Sequence, residues 1–137
     1  MKLKEIMLID DNSIDNYIAK IVTEKENIAE TITVKSSAIE ALDYLKNKEG
    51  DFPELIFLDI KMPIMDGFGF LQEFSKFSVD KKADCAIVML SSSISKMDMD
   101  VAENNQHVID YLSKPINKDK LTKVYDILIQ KNRNTNL

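Results

Sequence analysis

The sequence predicts a three-layer, doubly wound α/β fold: five parallel strands in the order 2-1-3-4-5, covered by helices on both faces. Three observations carry this prediction. Short apolar runs alternate with segments of helical periodicity along the whole chain. The first, third and fourth runs, Ile6–Ile9, Leu55–Leu58 and Ala86–Leu90, are continuously apolar, as strands buried on both faces must be. The second and fifth, Thr31–Val34 and Val108–Leu112, mix polar and apolar residues and belong at the edges. That order puts the topological switch between strands one and three, where open α/β sheets bind ligands beyond the carboxyl ends of their strands.

Taken in order, strand one ends in Asp10-Asp11, and Asn12 or Ser13 is available to cap the next helix. The apolar face predicted for that helix is Ile14, Tyr17, Ile18, Ile21 and Val22. After strand two, Ala38, Ala41, Leu42 and Leu45 mark the second helix. Gly50 and Pro53 punctuate the approach to strand three, which Asp59 closes before the turn-forming segment Ile60-Lys61-Met62-Pro63-Ile64-Met65-Asp66-Gly67. Phe70, Leu71, Phe74 and Phe77 recur at helical spacing, and Ser78–Asp84 reads as a polar loop. Strand four, Cys85–Leu90, opens into Ser91-Ser92-Ser93, and Ser95 can cap a short helix containing Met97 and Val101. Strand five leads into Lys114-Pro115, and after Asn117 the residues Leu121, Val124, Tyr125 and Leu128 mark the last helix. Residues 1–131 are expected to form one domain, with 132–137 a polar tail that frays.

Bulk properties narrow the function. A chain of 137 residues, 45% hydrophobic and 30% charged, has the size and balance of one folded domain. The net charge of -5 opposes nucleic-acid binding, and the short basic pieces Lys81-Lys82 and Lys118-Asp119-Lys120 read as solvated surface. The single cysteine, Cys85, begins a buried strand and reads as a structural thiol. No signal-peptide pattern or membrane-length apolar run is present, so the cytosol is the expected compartment and no membrane partner is expected.

The chemistry lies at one sheet edge. Asp10, Asp11 and Asp59 converge there, and three carboxylates in a partly buried crevice repel one another unless a cation neutralises them. All-oxygen ligation suits Mg²⁺, and the absence of a Cys/His cluster argues against zinc. Taken singly, each residue has a structural explanation. Asp10 and Asp11 can cap a helix, Asp59 can be a polar strand end, Pro63 and Gly67 can shape a turn, Ser91 can be a turn hydroxyl, and Lys114 can be solvated before a helix. The specific signal is their order: acids after strands one and three, a hydroxyl after strand four and a lysine after strand five.

This ordered set resembles the receiver domain of response regulators in two-component signalling, close in layout to stand-alone CheY-like proteins with a flavodoxin-like fold. The resemblance spans essentially the whole chain. It implies that Asp59 accepts a phosphoryl group from a phosphohistidine on a sensor histidine kinase or histidine phosphotransfer protein. It also implies Mg²⁺ held by Asp11, Asp59 and the Lys61 backbone carbonyl, with Asp10 acting through a water. Lys114, directed by a cis bond to Pro115, would pair with a phosphoryl oxygen. The Ser91 hydroxyl would bond another, and Tyr111 would turn inward behind it.

The resemblance further implies a phosphoacceptor signalling domain with self-phosphorylation and slow autodephosphorylation, without an output domain. A downstream protein would read the face formed by the fourth predicted helix, strand five and the last helix, including Met97, Met99, Tyr111 and Tyr125. A monomer or a phosphorylation-dependent homodimer fits. Lys61 and Ser93 match positions that tune phosphate lifetime: the Lys61 side chain either crowds the phosphoryl region or stays solvated while its carbonyl serves the metal. Ser92 stands where relatives often carry alanine, and His107 is expected in a surface loop without a function.

Two other classes compete. A haloacid-dehalogenase-type phosphohydrolase also uses an aspartyl nucleophile and a lysine, but expects Asp-x-Asp after strand one, where this chain has Ile9-Asp10-Asp11-Asn12-Ser13. A receiver-like binding module that has lost phosphorylation is opposed by the complete set of acid, hydroxyl and lysine.

Overall fold

Apolar alternation along the central strands divides the core into two halves. In the computed structural model, which describes residues 2–135 and the side chains of residues 2–131, β1 (Leu3–Ile9) pairs in parallel with β2 (Ala29–Lys35) and β3 (Leu55–Asp59). β4 (Ala86–Ser91) joins β3 to β5 (Val108–Ser113), giving the predicted order β2-β1-β3-β4-β5. Met7, Ile9, Ile56, Leu58, Ile87 and Met89 point to one face. Ile6, Leu8, Leu55, Phe57, Val88 and Leu90 point to the other. Period-two alternation in strands apolar at every position is what a sheet covered on both faces requires.

The first face is covered by α2 (Ala38–Asn47), α3 (Gly67–Phe74) and α5 (Lys96–Glu103), which bury Ala41, Leu45, Phe70, Phe74 and Ala102. The second is covered by α1 (Ser13–Glu26) and α6 (Lys118–Thr135), with Ala19, Leu121, Val124 and Leu128 inside. Of the two candidate caps of α1, Asn12 serves, accepting from Ile14 N and Asp15 N, and Ser95 caps α5 as predicted, accepting from Asp98 N. No helix among the described residues is long and apolar enough to cross a membrane.

Four expectations are corrected. The face that α1 turns inward is Asn16, Ala19 and Thr23, with Val22 beside it, whereas Ile14, Tyr17, Ile18 and Ile21 are open to solvent. Polar pairing decides this orientation: Asn16 Nδ2 donates to the carbonyls of Asp10 (2.7 Å) and Lys35 (3.2 Å), and small Ala19 sits against the sheet side. The polar segment 78–84 contains a short helix, α4 (Val79–Lys82), capped by Ser78 and tied down by Lys82 Nζ donating to the Ser75 carbonyl at 2.8 Å. Phe77 lies beyond α3 but still packs edge-on against Phe52. His107 is half-buried rather than a bare loop residue: its Nδ1 lies 3.2 Å from the Cys85 carbonyl and its ring meets Phe74 edge-on.

At the carboxyl end of the chain α6 carries residues 132–135 of the expected tail in helical form, because extending an established helix costs far less than starting one. The rest of that tail, Asn136 and Leu137, lies outside the described residues.

Candidate functional site

The β1–α1 turn is built to hold Asp10. Its backbone N–H donates to the Lys35 carbonyl (3.2 Å), continuing the ladder one residue beyond β1, and its Oδ1 accepts from Asn12 N at 2.9 Å. The Asn16 amide clamps the same turn to the end of β2. Asp10 is therefore buried, while Asp11, next in the chain, faces solvent.

Asp59 is the last residue of β3 and is only 3% exposed. The chain then folds back tightly: Ile60 N donates to Leu90 O (3.1 Å), and Gly67 N donates to Ile60 O (2.8 Å). A Cβ on Gly67 would stand 2.7 Å from the Asp59 carbonyl oxygen, so this close approach requires glycine. Asp66 caps α3 by accepting from Gly69 N at 2.8 Å. Between them, Met65 N donates to Pro63 O (2.8 Å) around Ile64, whose φ of 72° makes a strained γ-turn with a side chain 95% exposed.

Lys114 enters from the end of β5. Its N–H donates to the Ser91 carbonyl at 2.8 Å, and its bond to Pro115 is cis, matching the arrangement implied by the resemblance. Its ammonium lies 2.7 Å from Asp10 Oδ2, 3.2 Å from Asp59 Oδ1 and 3.1 Å from Asp15 Oδ2. An ammonium has three N–H donors, and three carboxylates occupy its surroundings. Asp15, in the first turn of α1, was not read from the sequence as part of the site. Its only signal was an acid one helical turn beyond the acidic pair, which favourable placement at a helix N-terminus already explains.

Charge in this crevice is unbalanced. Burial, reinforced by the charge of Asp10 and offset in part by Lys114, pushes the Asp59 carboxyl up to about 7. Burial alone would lower the Lys114 pKa, but hydrogen bonds to Asp10 and Asp15 and the charges of Asp10 and Asp59 overcome it, so the ammonium is held more firmly than usual. Carboxylate oxygens of Asp10, Asp11 and Asp59 all lie within 4.8 Å of one another. An oxygen-only set with surplus negative charge, one member open to water, fits a hard divalent cation.

The remaining predicted residues are distributed around this centre. Lys61 lies two residues beyond Asp59 with its side chain exposed. Ser91 is buried, but its hydroxyl donates to Ser93 O (2.5 Å) and accepts from Ser93 N (3.2 Å), closing the turn after β4 rather than bonding Asp59. Ser93 itself is exposed. The Tyr111 ring packs on the α5 side of the core, with its hydroxyl buried and without a hydrogen-bond partner among the described residues.

Known proteins resemble this chain in sequence and in fold. An uncharacterised response regulatory protein of Staphylococcus epidermidis is 30% identical over 128 residues, covering 93% of this chain and 47% of its own length. A sensor histidine kinase, CheAY of Helicobacter pylori, is 32% identical over 121 residues, 87% of this chain and 14% of its own. The chain thus spans about half, or less, of these curated relatives. A two-component response regulator from Cytophaga hutchinsonii superposes with a TM-score of 0.88 at 27% identity, covering 95% of this chain and 99% of that one. Residues 6–126 match the model of the response regulator receiver domain, and the chain belongs to that family.

Proposed function

We propose that Asp59 is the phosphoacceptor of a two-component phosphorelay. The observation that carries this reading is the ammonium of Lys114, bridging Asp10 and Asp59 in a crevice with more carboxylates than cations. An Asp59 carboxylate oxygen attacks the phosphorus of a phosphohistidine on a sensor kinase or phosphotransfer protein. The P–N bond breaks, imidazole leaves, and an aspartyl phosphate forms. Asp11, Asp59 and the Lys61 backbone carbonyl would hold a Mg²⁺, with Asp10 acting through a water, and the ion would supply charge neutralisation for the transferring phosphoryl group. Lys114, already 3.2 Å from Asp59 Oδ1, pairs with a phosphoryl oxygen.

The donor must reach the carboxyl end of the sheet, where α1 begins. Ile14, Tyr17 and Ile18 lie uncovered there, and they supply an apolar footing for it. Phosphorylation adds roughly −1.5 to −2 charges at neutral pH. The Ser91 hydroxyl exchanges its bonds with Ser93 for one to the phosphoryl group, which rearranges the β4–α5 turn, and Tyr111 packs behind it. The altered surface is α5, β5 and α6, where Met97 is 76% exposed, and a downstream protein or a second copy of the chain reads it in the cytosol. Lys61 and Ser93, exposed at the rim, set the acyl-phosphate lifetime; Lys61→Asn should change the rate of phosphate release, and equal rates would leave Lys61 with only its backbone role. The domain acts as a self-modifying signalling element and turns over no separate substrate.

The test is incubation with Mg²⁺ and either acetyl phosphate or a phosphohistidine donor, followed by peptide mass mapping. Label on Asp59 is the expected result, and none under conditions that label a control receiver refutes the reading.

A further inference from the structure

Lys114 has one more partner than the proposed chemistry uses. Asp10 and Asp59 are candidate ligands of a divalent cation, whereas Asp15 lies outside the set of carboxylates that could share one. When a cation draws charge from Asp10, Asp11 and Asp59, two of the three carboxylates that hold the ammonium are committed elsewhere. Asp15 Oδ2, at 3.1 Å, is the one that stays. Its own backbone is fixed, because Asp15 N donates to the Asn12 cap at 3.1 Å, so the carboxylate projects from the rigid first turn of α1. Lysine carries a flexible four-carbon stem whose rotamer freedom must be lost each time the head is placed, and a permanent counter-ion removes that loss from the reaction.

We propose that Asp15 is a positioning residue: it retains the Lys114 ammonium at the crevice mouth while a divalent cation occupies the acidic trio. This keeps Lys114 from competing with the cation for Asp10 and Asp59, yet close enough to meet an arriving phosphoryl oxygen. The second consequence rests on Asp59 being the phosphoacceptor, and the first does not.

The test is a double-mutant cycle read by Mg²⁺ calorimetry on the intact chain, with Asp15→Asn, Lys114→Met and the pair, alongside thermal melts. A partly exposed ion pair of this kind corresponds to about a three-fold effect. Asp15→Asn should weaken Mg²⁺ binding about three-fold, the charge-keeping Asp15→Glu should restore it, and Asp15→Asn should have no effect once Lys114 is methionine. Acetyl-phosphate labelling at saturating Mg²⁺ should slow by a similar factor in Asp15→Asn alone. A role confined to stabilising the start of α1 would lower the melting temperature and leave the Mg²⁺ affinity unchanged, which overturns the inference. So would an equal loss of affinity in the Lys114→Met background. Should Lys114→Met not fold, equal Mg²⁺ affinities of Asp15→Asn, Asp15→Glu and wild type overturn it instead. Absence of label in wild type with a positive Mg²⁺ cycle would refute the phosphoacceptor reading and leave the Asp15–Lys114 coupling standing.

Discussion

The sheet carries buried carboxylates at both ends, and the two ends are treated in opposite ways. At the amino end Glu5, 6% exposed, is surrounded by donors: Thr33 Oγ1 and Tyr44 Oη each donate to its Oε2 at 2.5 Å, and Lys48 Nζ stands 3.3 Å from its Oε1. One acid there has three partners. At the carboxyl end Asp10, Asp15 and Asp59 share the one ammonium of Lys114, and Asp11 adds a further carboxylate within 4.8 Å of Asp10 and Asp59. A satisfied buried acid rigidifies a fold and asks for nothing more, whereas an under-neutralised cluster is a standing demand for a cation. Burial alone therefore does not distinguish the two ends; the count of partners does.

The largest effect expected is loss of all phosphoryl label in Asp59→Asn, read by intact mass after acetyl phosphate and Mg²⁺. Persistent stoichiometric label in that variant would break the contrast by moving the chemistry elsewhere.

Glu5→Ala should leave labelling intact but destabilise the fold by about 2–4 kcal/mol in urea unfolding, because Lys48, Thr33 and Tyr44 lose their shared acceptor. The Tyr44 hydroxyl, whose pKa burial and then the Glu5 hydrogen bond hold above its ordinary value, should titrate at lower pH in Glu5→Ala, and an unchanged tyrosine titration would count against the network.

A smaller effect separates the ends by pH. The Asp59 carboxyl is raised from 3.8 to about 7, so the metal-free folded state binds a proton more tightly than the unfolded chain. Its contribution to stability is complete below pH 3.8 and is lost as pH rises through about 7. In EDTA, stability should fall across that window by about 1–3 kcal/mol, less than the ~1.4 kcal/mol per unit of an isolated group because Asp59 and Asp10 titrate as an interacting pair. Asp59→Asn should flatten the slope, and added Mg²⁺ should offset the fall at high pH. A slope that survives in Asp59→Asn would place its origin in another group.

The smallest effect is at the rim. Ile64→Gly should relieve the positive φ and stabilise the protein by about 1 kcal/mol without altering Mg²⁺ affinity. A loss of stability would mean that the Ile64 side chain, though exposed, packs in a way its 95% accessibility does not indicate.

How much of this was legible in the sequence depends on what kind of interaction decided each point. Strand order, the convergence of Asp10, Asp11, Asp59 and Lys114, and the cap at Ser95 were readable, because continuous apolar runs, mixed edge strands and capping residues write themselves into consecutive positions. The inward face of α1 was misread because apolar spacing marks Ile14, Tyr17, Ile18 and Ile21, while the packing was set by an amide, Asn16, that satisfies two carbonyls, one just past β1 and one at the end of β2. The helical turn α4 was hidden for a similar reason: its anchor is Lys82 reaching back to Ser75, a bond no periodicity encodes.

By itself, then, the sequence determined the layers, the strand order and which acids and lysine share one sheet edge, since these follow from local periodicity and the handedness of βα crossovers. Only the tertiary structure decided that Asp15 joins Lys114, that the Ser91 hydroxyl rests on Ser93 and that α1 leaves its apolar stripe open. Those outcomes depend on ångström-scale distances between side chains far apart in the chain, or on which of two nearby polar groups lies closer, and no pattern of residue types fixes either.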